Sequence, residues 1–126
     1  MSDELILIVD DNEKNVKLAR DVLRFAGFRT LEAVTGGEGV SLAAEHLPDL
    51  VLMDIRLPDM DGTVALQQLK DDERTAGIPV VALTSFAMKG DRDRFIAAGF
   101  DGYLEKPITV REFPDQVRSH LVPAER

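Results

Sequence analysis

Apolar residues run without interruption through Leu5-Ile6-Leu7-Ile8-Val9, through Leu50-Val51-Leu52-Met53 and through Val80-Val81-Ala82-Leu83. Each run stops on a polar residue: Asp10, Asp54 and Thr84. Runs of this length, rich in β-branched residues and lacking alternation, suit strands buried on both faces. Two weaker strands are predicted, one over Phe28–Val34, where the alternation is imperfect, and one over Gly102–Lys106, cut off by Pro107.

Between the strands the period changes to that of a helix. Val16, Ala19, Leu23 and Ala26 precede Gly27; Val40, Ala43, Ala44 and Leu47 precede Pro48; Ala65, Leu66 and Leu69 lie within Thr63 to Asp72. Met88 to Ala98, stopped by Gly99, predicts a fourth helix with a weak first turn around Gly90, and Gly36-Gly37-Glu38-Gly39 reads as a flexible turn leading into the second. Thr109-Val110-Arg111-Glu112 has the spacing of a capping box, which places Val110, Phe113, Val117 and Leu121 on the buried stripe of a fifth helix. Pro114 sits badly inside such a helix, because an interior proline removes a hydrogen bond, so the helix starts later than the box or has a loose first turn.

Strands alternating with helices call for an α/β fold: a doubly wound, five-stranded parallel sheet covered on both faces by right-handed crossovers. No linker, repeat or low-complexity tract interrupts the pattern. A single domain over 1–126 is expected, with a core from about 4 to 121, a short tail over 122–126 and no appended output domain.

Composition narrows the function classes. Lys and Arg total 15 against 23 Asp and Glu, a net charge of −8, so the surface repels phosphate backbones and anionic membranes and direct nucleic-acid binding is not expected. The absence of cysteine removes disulfides, thiolate metal sites and thiol nucleophiles. Leu5–Val9 is too short for a signal or membrane-spanning helix, so a cytoplasmic protein is expected.

The carboxyl ends of parallel strands share one edge of a doubly wound sheet, and a crevice opens there where the winding reverses. Asp10 and Asp11, Asp54, Thr84 and Lys106 all stand at strand ends. Carboxylates gathered within a few ångströms repel by roughly 4 kcal/mol per close pair at a surface-like dielectric, so a cation is expected among them. Oxygen-only ligands point to a hard ion, and Mg²⁺, which takes one or two carboxylates plus a phosphate oxygen, suits best. Beside such an ion one carboxylate can act as a nucleophile towards a phosphoryl group. Asp54 is the best placed, on the central strand, with Asp10 and Asp11 left to the metal, and with Lys106 as a compact cation and Thr84 as a hydroxyl donor for the transferred group.

With these residues in hand, the sequence resembles a response-regulator receiver domain over essentially its full length. The family's acid pair corresponds to Asp10-Asp11, its phosphoacceptor to Asp54 in Met-Asp-Ile-Arg-Leu-Pro-Asp-Met-Asp-Gly, its switch hydroxyl to Thr84 and its Lys-Pro pair to Lys106-Pro107. The resemblance implies the strand order 2-1-3-4-5 and a Mg²⁺ ion held by Asp11, Asp54 and the main-chain carbonyl of Arg56, with Asp10 reaching it through water. It also implies a cis peptide before Pro107 and an aromatic switch at Tyr103 that turns inward when Thr84 moves. Phe86 to Asp91 and Asp10 to Asn15 further resemble DivK-like single-domain regulators and the receivers of hybrid kinases. A phosphodonor histidine kinase or histidine phosphotransfer protein and a downstream protein effector are the implied partners. The resemblance places the kinase-facing surface along the first helix and the loop after Lys106, near Asn15, Val16 and Ile108, and the altered output face around the fourth helix, last strand and last helix.

Taken singly, each site residue has an ordinary reading: helix cap, loop acid, strand-end hydroxyl or surface charge. Their joint placement on separate strand ends is what argues for a site. A turnover phosphatase with an aspartate nucleophile commonly carries a second aspartate two residues on, where this chain has Arg56. A flavin or nucleotide binder is opposed by the acidic crevice, and a degenerate scaffold by the complete set of acids, Thr84 and Lys106. Gly36 to Gly39 has neither the Lys-Ser/Thr of a phosphate loop nor dinucleotide-binding spacing. His46 and His120 fall on helices away from the strand ends.

Overall fold

The computed structural model describes residues 4–84, 90–106 and 108–121. In chain order the elements are β1 Leu5–Val9, α1 Glu13–Phe25, β2 Arg29–Ala33, α2 Gly36–His46, β3 Leu50–Asp54, α3 Gly62–Asp71, β4 Val80–Thr84, α4 Asp91–Ala98, β5 Gly102–Glu105 and α5 Phe113–His120. All four strand pairings are parallel and the sheet order is β2-β1-β3-β4-β5. The winding therefore reverses beside β1, and β1 and β3 lie side by side at the reversal.

Side chains alternate across the sheet, which divides the core in two. Ile6, Ile8, Leu50, Leu52, Val81 and Leu83 face α1 and α5, where Val16, Leu23, Phe113 and Val117 close over them. Leu7, Val9, Val51, Met53, Val80 and Ala82 face α2, α3 and α4, meeting Ala43, Leu66, Leu69 and Phe95. At roughly 1.5–3 kcal/mol for each large apolar side chain taken out of water, these two layers are the main force holding the strand ends in register.

The edge of the sheet away from the strand carboxyl ends is fastened by two aspartates in matching positions. Asp49, just before β3, accepts the Leu5 N–H of β1 at 2.8 Å and donates its own N–H to the Leu5 carbonyl at 2.8 Å. Asp101, just before β5, does the same to Val80 of β4, also at 2.8 Å in both directions.

Several predicted boundaries move. The glycine turn is not a loose lead-in: Gly36 to Gly39 form the first turn of α2 behind a Thr35 cap, and a Cβ on Gly39 would lie 2.7 Å from Val9, so glycine is what lets α2 close onto β1. Leu47 is 54% exposed rather than buried, because the chain leaves α2 there in the left-handed conformation, φ 49°. α4 begins at Asp91, behind Gly90 at φ 90°; Met88, with the rest of 85–89, lies outside the described residues. α5 begins at Phe113, with Pro114 in its first turn, where no amide hydrogen is needed. The Thr109 carbonyl takes the N–H groups of Glu112 and Phe113 in a preceding turn, and Val110 is left 59% exposed instead of joining the buried stripe.

Candidate functional site

Three strands deliver the acids and the amine to one point. Asp10 follows β1 and is almost fully buried; its Oδ1 accepts the Asn12 N–H at 2.9 Å, and Asn12 in turn caps α1 by accepting the N–H groups of Lys14 and Asn15. Asp54 closes β3, and its Oδ1 accepts the Arg56 N–H at 3.3 Å. Lys106 follows β5, tied to β4 by its N–H to the Thr84 carbonyl at 2.8 Å, and its Nζ bridges Asp10 Oδ2 at 2.8 Å and Asp54 Oδ2 at 3.1 Å. Carboxylate oxygens of Asp10, Asp11 and Asp54 all lie within 4.8 Å of one another. Asp11, Asn12, Asn15, Asp54, Arg56, Thr84 and Lys106 line the cleft above them. Asp54 is 8% exposed, a small opening that is directed into this cleft.

Burial raises the Asp54 carboxyl above its ordinary range; the Lys106 ammonium opposes that and the charge of Asp10 reinforces it. For Lys106, burial alone would lower the ammonium, but its hydrogen bonds and ion pairs with Asp10 and Asp54 prevail and hold it above its usual value. Three carboxylates facing one ammonium leave two negative charges, which one divalent ion would balance. The donors are all carboxylate oxygens, so the set fits Mg²⁺ rather than a softer metal.

The loop after Asp54 is closed at its neck. Gly62 donates its N–H to the Ile55 carbonyl at 2.7 Å, Arg56 and Asp61 form an antiparallel bridge, and Asp61 caps α3 by accepting the Thr63 N–H at 2.9 Å. Tyr103, half-buried on β5, stacks on Phe95 of α4 with ring centroids 5.8 Å apart and planes at 27°, and Phe100 meets Phe95 edge-on at 6.0 Å. Phe95 is the one buried side chain of α4 among the described residues, so this contact joins α4 to the strand that ends at Lys106.

Asp10, Asp11, Asp54, Arg56, Thr84 and Lys106 thus lie together at this edge of the sheet, while Tyr103 pairs in register with Ala82, two residues before Thr84. Pro107, whose peptide bond was expected to be cis, lies outside the described residues. Val16 is 7% exposed and packs in the core, in keeping with its place on the apolar face of α1, and the α1 residues that line a cleft with Ile108 are Asn15, Leu18 and Ala19. His46 and His120 sit on α2 and α5, away from the cleft. Sequence reasoning missed Asp59, whose carboxylate reaches 23 residues back to the start of α2; nothing local in the sequence signals such a contact.

Known proteins share this sequence pattern and fold. The chain is 47% identical over 116 residues to the polar-differentiation response regulator DivK of Brucella ovis, covering 92% of this chain and 94% of that protein. Among solved structures, the receiver domain of a sensor histidine kinase from Pseudomonas aeruginosa PAO1, with a magnesium ion coordinated in its active-site cleft, is 33% identical with a TM-score of 0.85, covering 94% of this chain and 97% of that one. A CheY-like receiver domain protein from Methanospirillum hungatei JF-1 is 30% identical with a TM-score of 0.83, covering 93% and 92%. Receiver domains bind Mg²⁺ in their active site, accept phosphoryl groups on an aspartate and signal between histidine kinases and downstream effectors. With the sheet order, the acid cluster and a match to the family's sequence pattern over residues 6–118 all in agreement, this chain belongs to the response regulator receiver domain family.

Proposed function

We propose that this chain, acting as one receiver unit in the cytoplasm, takes a phosphoryl group onto Asp54 from a histidine kinase or histidine phosphotransfer protein and changes its protein contacts as a result. The observation that carries the reading is the Lys106 Nζ bridging Asp10 and Asp54 at the mouth of an acid-lined cleft. An Asp54 carboxylate oxygen forms a bond to phosphorus while the phosphorus–nitrogen bond to the donor imidazole breaks, and that nitrogen keeps the electron pair and takes up a proton. Asp10, Asp11, Asp54 and the Arg56 carbonyl would hold the Mg²⁺ ion, which when bound supplies positive charge beside the incoming phosphoryl oxygens.

The protein's own residues do the rest. Lys106 turns from its carboxylate partners towards the new phosphoryl oxygens, and Thr84 offers its hydroxyl from the neighbouring strand end. Thr84 and Tyr103 form the switch: movement of the hydroxyl towards the phosphoryl group opens room for the ring, and because Tyr103 stacks on Phe95, the change reaches α4. Asn15, Leu18 and Ile108 beside Lys106 form the surface presented to the phosphodonor, and the face of α4, β5 and α5 the one read by an effector. The chain is a phosphoacceptor rather than a turnover enzyme. Support comes from Arg56, which stands where an aspartate-based phosphatase commonly has its general acid.

Incubation with acetyl phosphate and Mg²⁺, followed by intact-mass measurement, should add one phosphoryl group to the wild type and none to Asp54→Asn. Equal labelling of the two, or steady release of phosphate from small monoesters, would sink the reading.

A further inference from the structure

The loop between Asp54 and α3 is fastened at its tip as well as its neck. Asp59 Oδ1 accepts the Gly36 N–H at 2.8 Å and Oδ2 accepts the Gly37 N–H at 2.9 Å, a two-pronged contact with the amino end of α2. These bonds hold the Asp59 carboxyl below its ordinary range, Gly37 contributing most and Gly36 next. The remaining first-turn amides are also committed, Glu38 to the Thr35 hydroxyl and Gly39 to the Thr35 carbonyl, so Asp59 completes the set. A Cβ on Gly36 would lie 2.6 Å from Met60 Cγ, so the side chain of the loop residue next to Asp59 is seated directly against the helix backbone.

We propose that Asp59 is a positioning residue of the acceptor site. α2 is braced against β1 through Gly39 and Val9, and β1 leads directly into Asp10. Asp59 hangs the loop from α2, and the loop carries Arg56, whose N–H is bonded to Asp54 Oδ1. The clip therefore closes a frame from the strand bearing Asp10 to the residue that follows the acceptor, and it fixes where the Arg56 carbonyl stands. The Gly37 prong is exposed and the Gly36 prong only part-buried, so their effect is on the geometry of the loop more than on the stability of the whole.

The test is amide hydrogen exchange on the metal-free protein, with Mg²⁺ titration alongside; only the titration rests on the function proposed above. In Asp59→Ala, the amides of Gly36, Gly37, Arg56 and Gly62 should exchange roughly ten-fold faster, as for a locally opened segment, while those of Leu52 and Val81 keep their rates. Mg²⁺ affinity should fall by roughly ten-fold, the effect usual for residues that orient a ligand from behind, with little change in labelling rate once Mg²⁺ saturates. Asp59→Asn, which keeps one carbonyl acceptor, should fall between the two. Wild-type exchange at Arg56 and Gly62 in Asp59→Ala overturns the proposal. A wild type that binds no Mg²⁺ overturns the acceptor reading instead, and the exchange pattern still decides the role of Asp59.

Discussion

Gly62 lies directly beneath the main chain of Asp54: a Cβ added to Gly62 would stand 2.5 Å from the Asp54 carbonyl oxygen and 2.9 Å from the Ile55 Cα. Those are backbone atoms, which cannot rotate aside as a side chain would. Gly62→Ala should therefore push β3 and the loop apart, costing about 1–3 kcal/mol in chemical denaturation. Labelling of Asp54 should fall further than that loss explains, because the displaced atoms belong to the acceptor itself. A variant with wild-type stability and labelling would show that the approach is less tight than described.

Asp54→Asn should make the metal-free protein more stable at neutral pH. The Asp54 carboxyl is raised, so burial and the charge of Asp10 together disfavour its ionised form more than Lys106 favours it. Removing the charge removes that opposition, although labelling is lost. Thermal melts with chelator present check the sign, and a lower melting temperature for the variant would contradict it.

Phe95→Ala should cost about 3–5 kcal/mol, as for a buried phenylalanine truncated to a methyl. It should also release α4 locally, since no other side chain of that helix is buried among the described residues. Tyr103 is the only tyrosine of the chain and there is no tryptophan, so intrinsic fluorescence reports this ring alone. Phosphorylation should change that emission in the wild type and change it less in Phe95→Ala, where the ring has lost its stacking partner.

The acid limb of stability should carry the signature of Asp59. Its folded carboxyl is lowered by the Gly37 and Gly36 amides, so the stability it contributes is present above the ordinary carboxylate range near pH 4 and is lost as pH falls through its lower folded value. Denaturant midpoints of wild type and Asp59→Asn should differ at pH 7 and converge as the pH falls through the lowered carboxyl value. A gap that persists in acid would assign the difference to something other than this charge.

What the sequence made legible follows from how each signal is encoded. β1, β3 and β4 are buried on both faces, so they appear as unbroken apolar runs, and the residue ending each run marks a strand tip. Asp10, Asp54 and Thr84 are found this way without any knowledge of contacts. β2 is an edge strand with mixed burial, and its alternation is correspondingly blurred. Val110 and Leu47 were misplaced because periodicity assumes the helix continues; Pro114 delays α5 and a left-handed residue ends α2, so both side chains leave the helical face. Asp59 was out of reach for a different reason. Its partners are backbone amides, which have no letter in the sequence, and they come together only once the sheet has brought two loops to the same edge.

The pair Asp49 and Asp101 shows that one residue type carries opposite consequences at the two rims of this sheet. At the amino-terminal rim each aspartate takes an amide of the adjoining strand, and Asp101 also has the Lys70 ammonium at 3.7 Å, so these carboxylates serve the architecture. At the other rim Asp10 and Asp54 share a single ammonium and face one another, so the same functional group remains electrostatically hungry. Among the described residues three carboxylates come within reach of one ion at that end alone, so a cation drifting over the acidic surface is drawn to settle there.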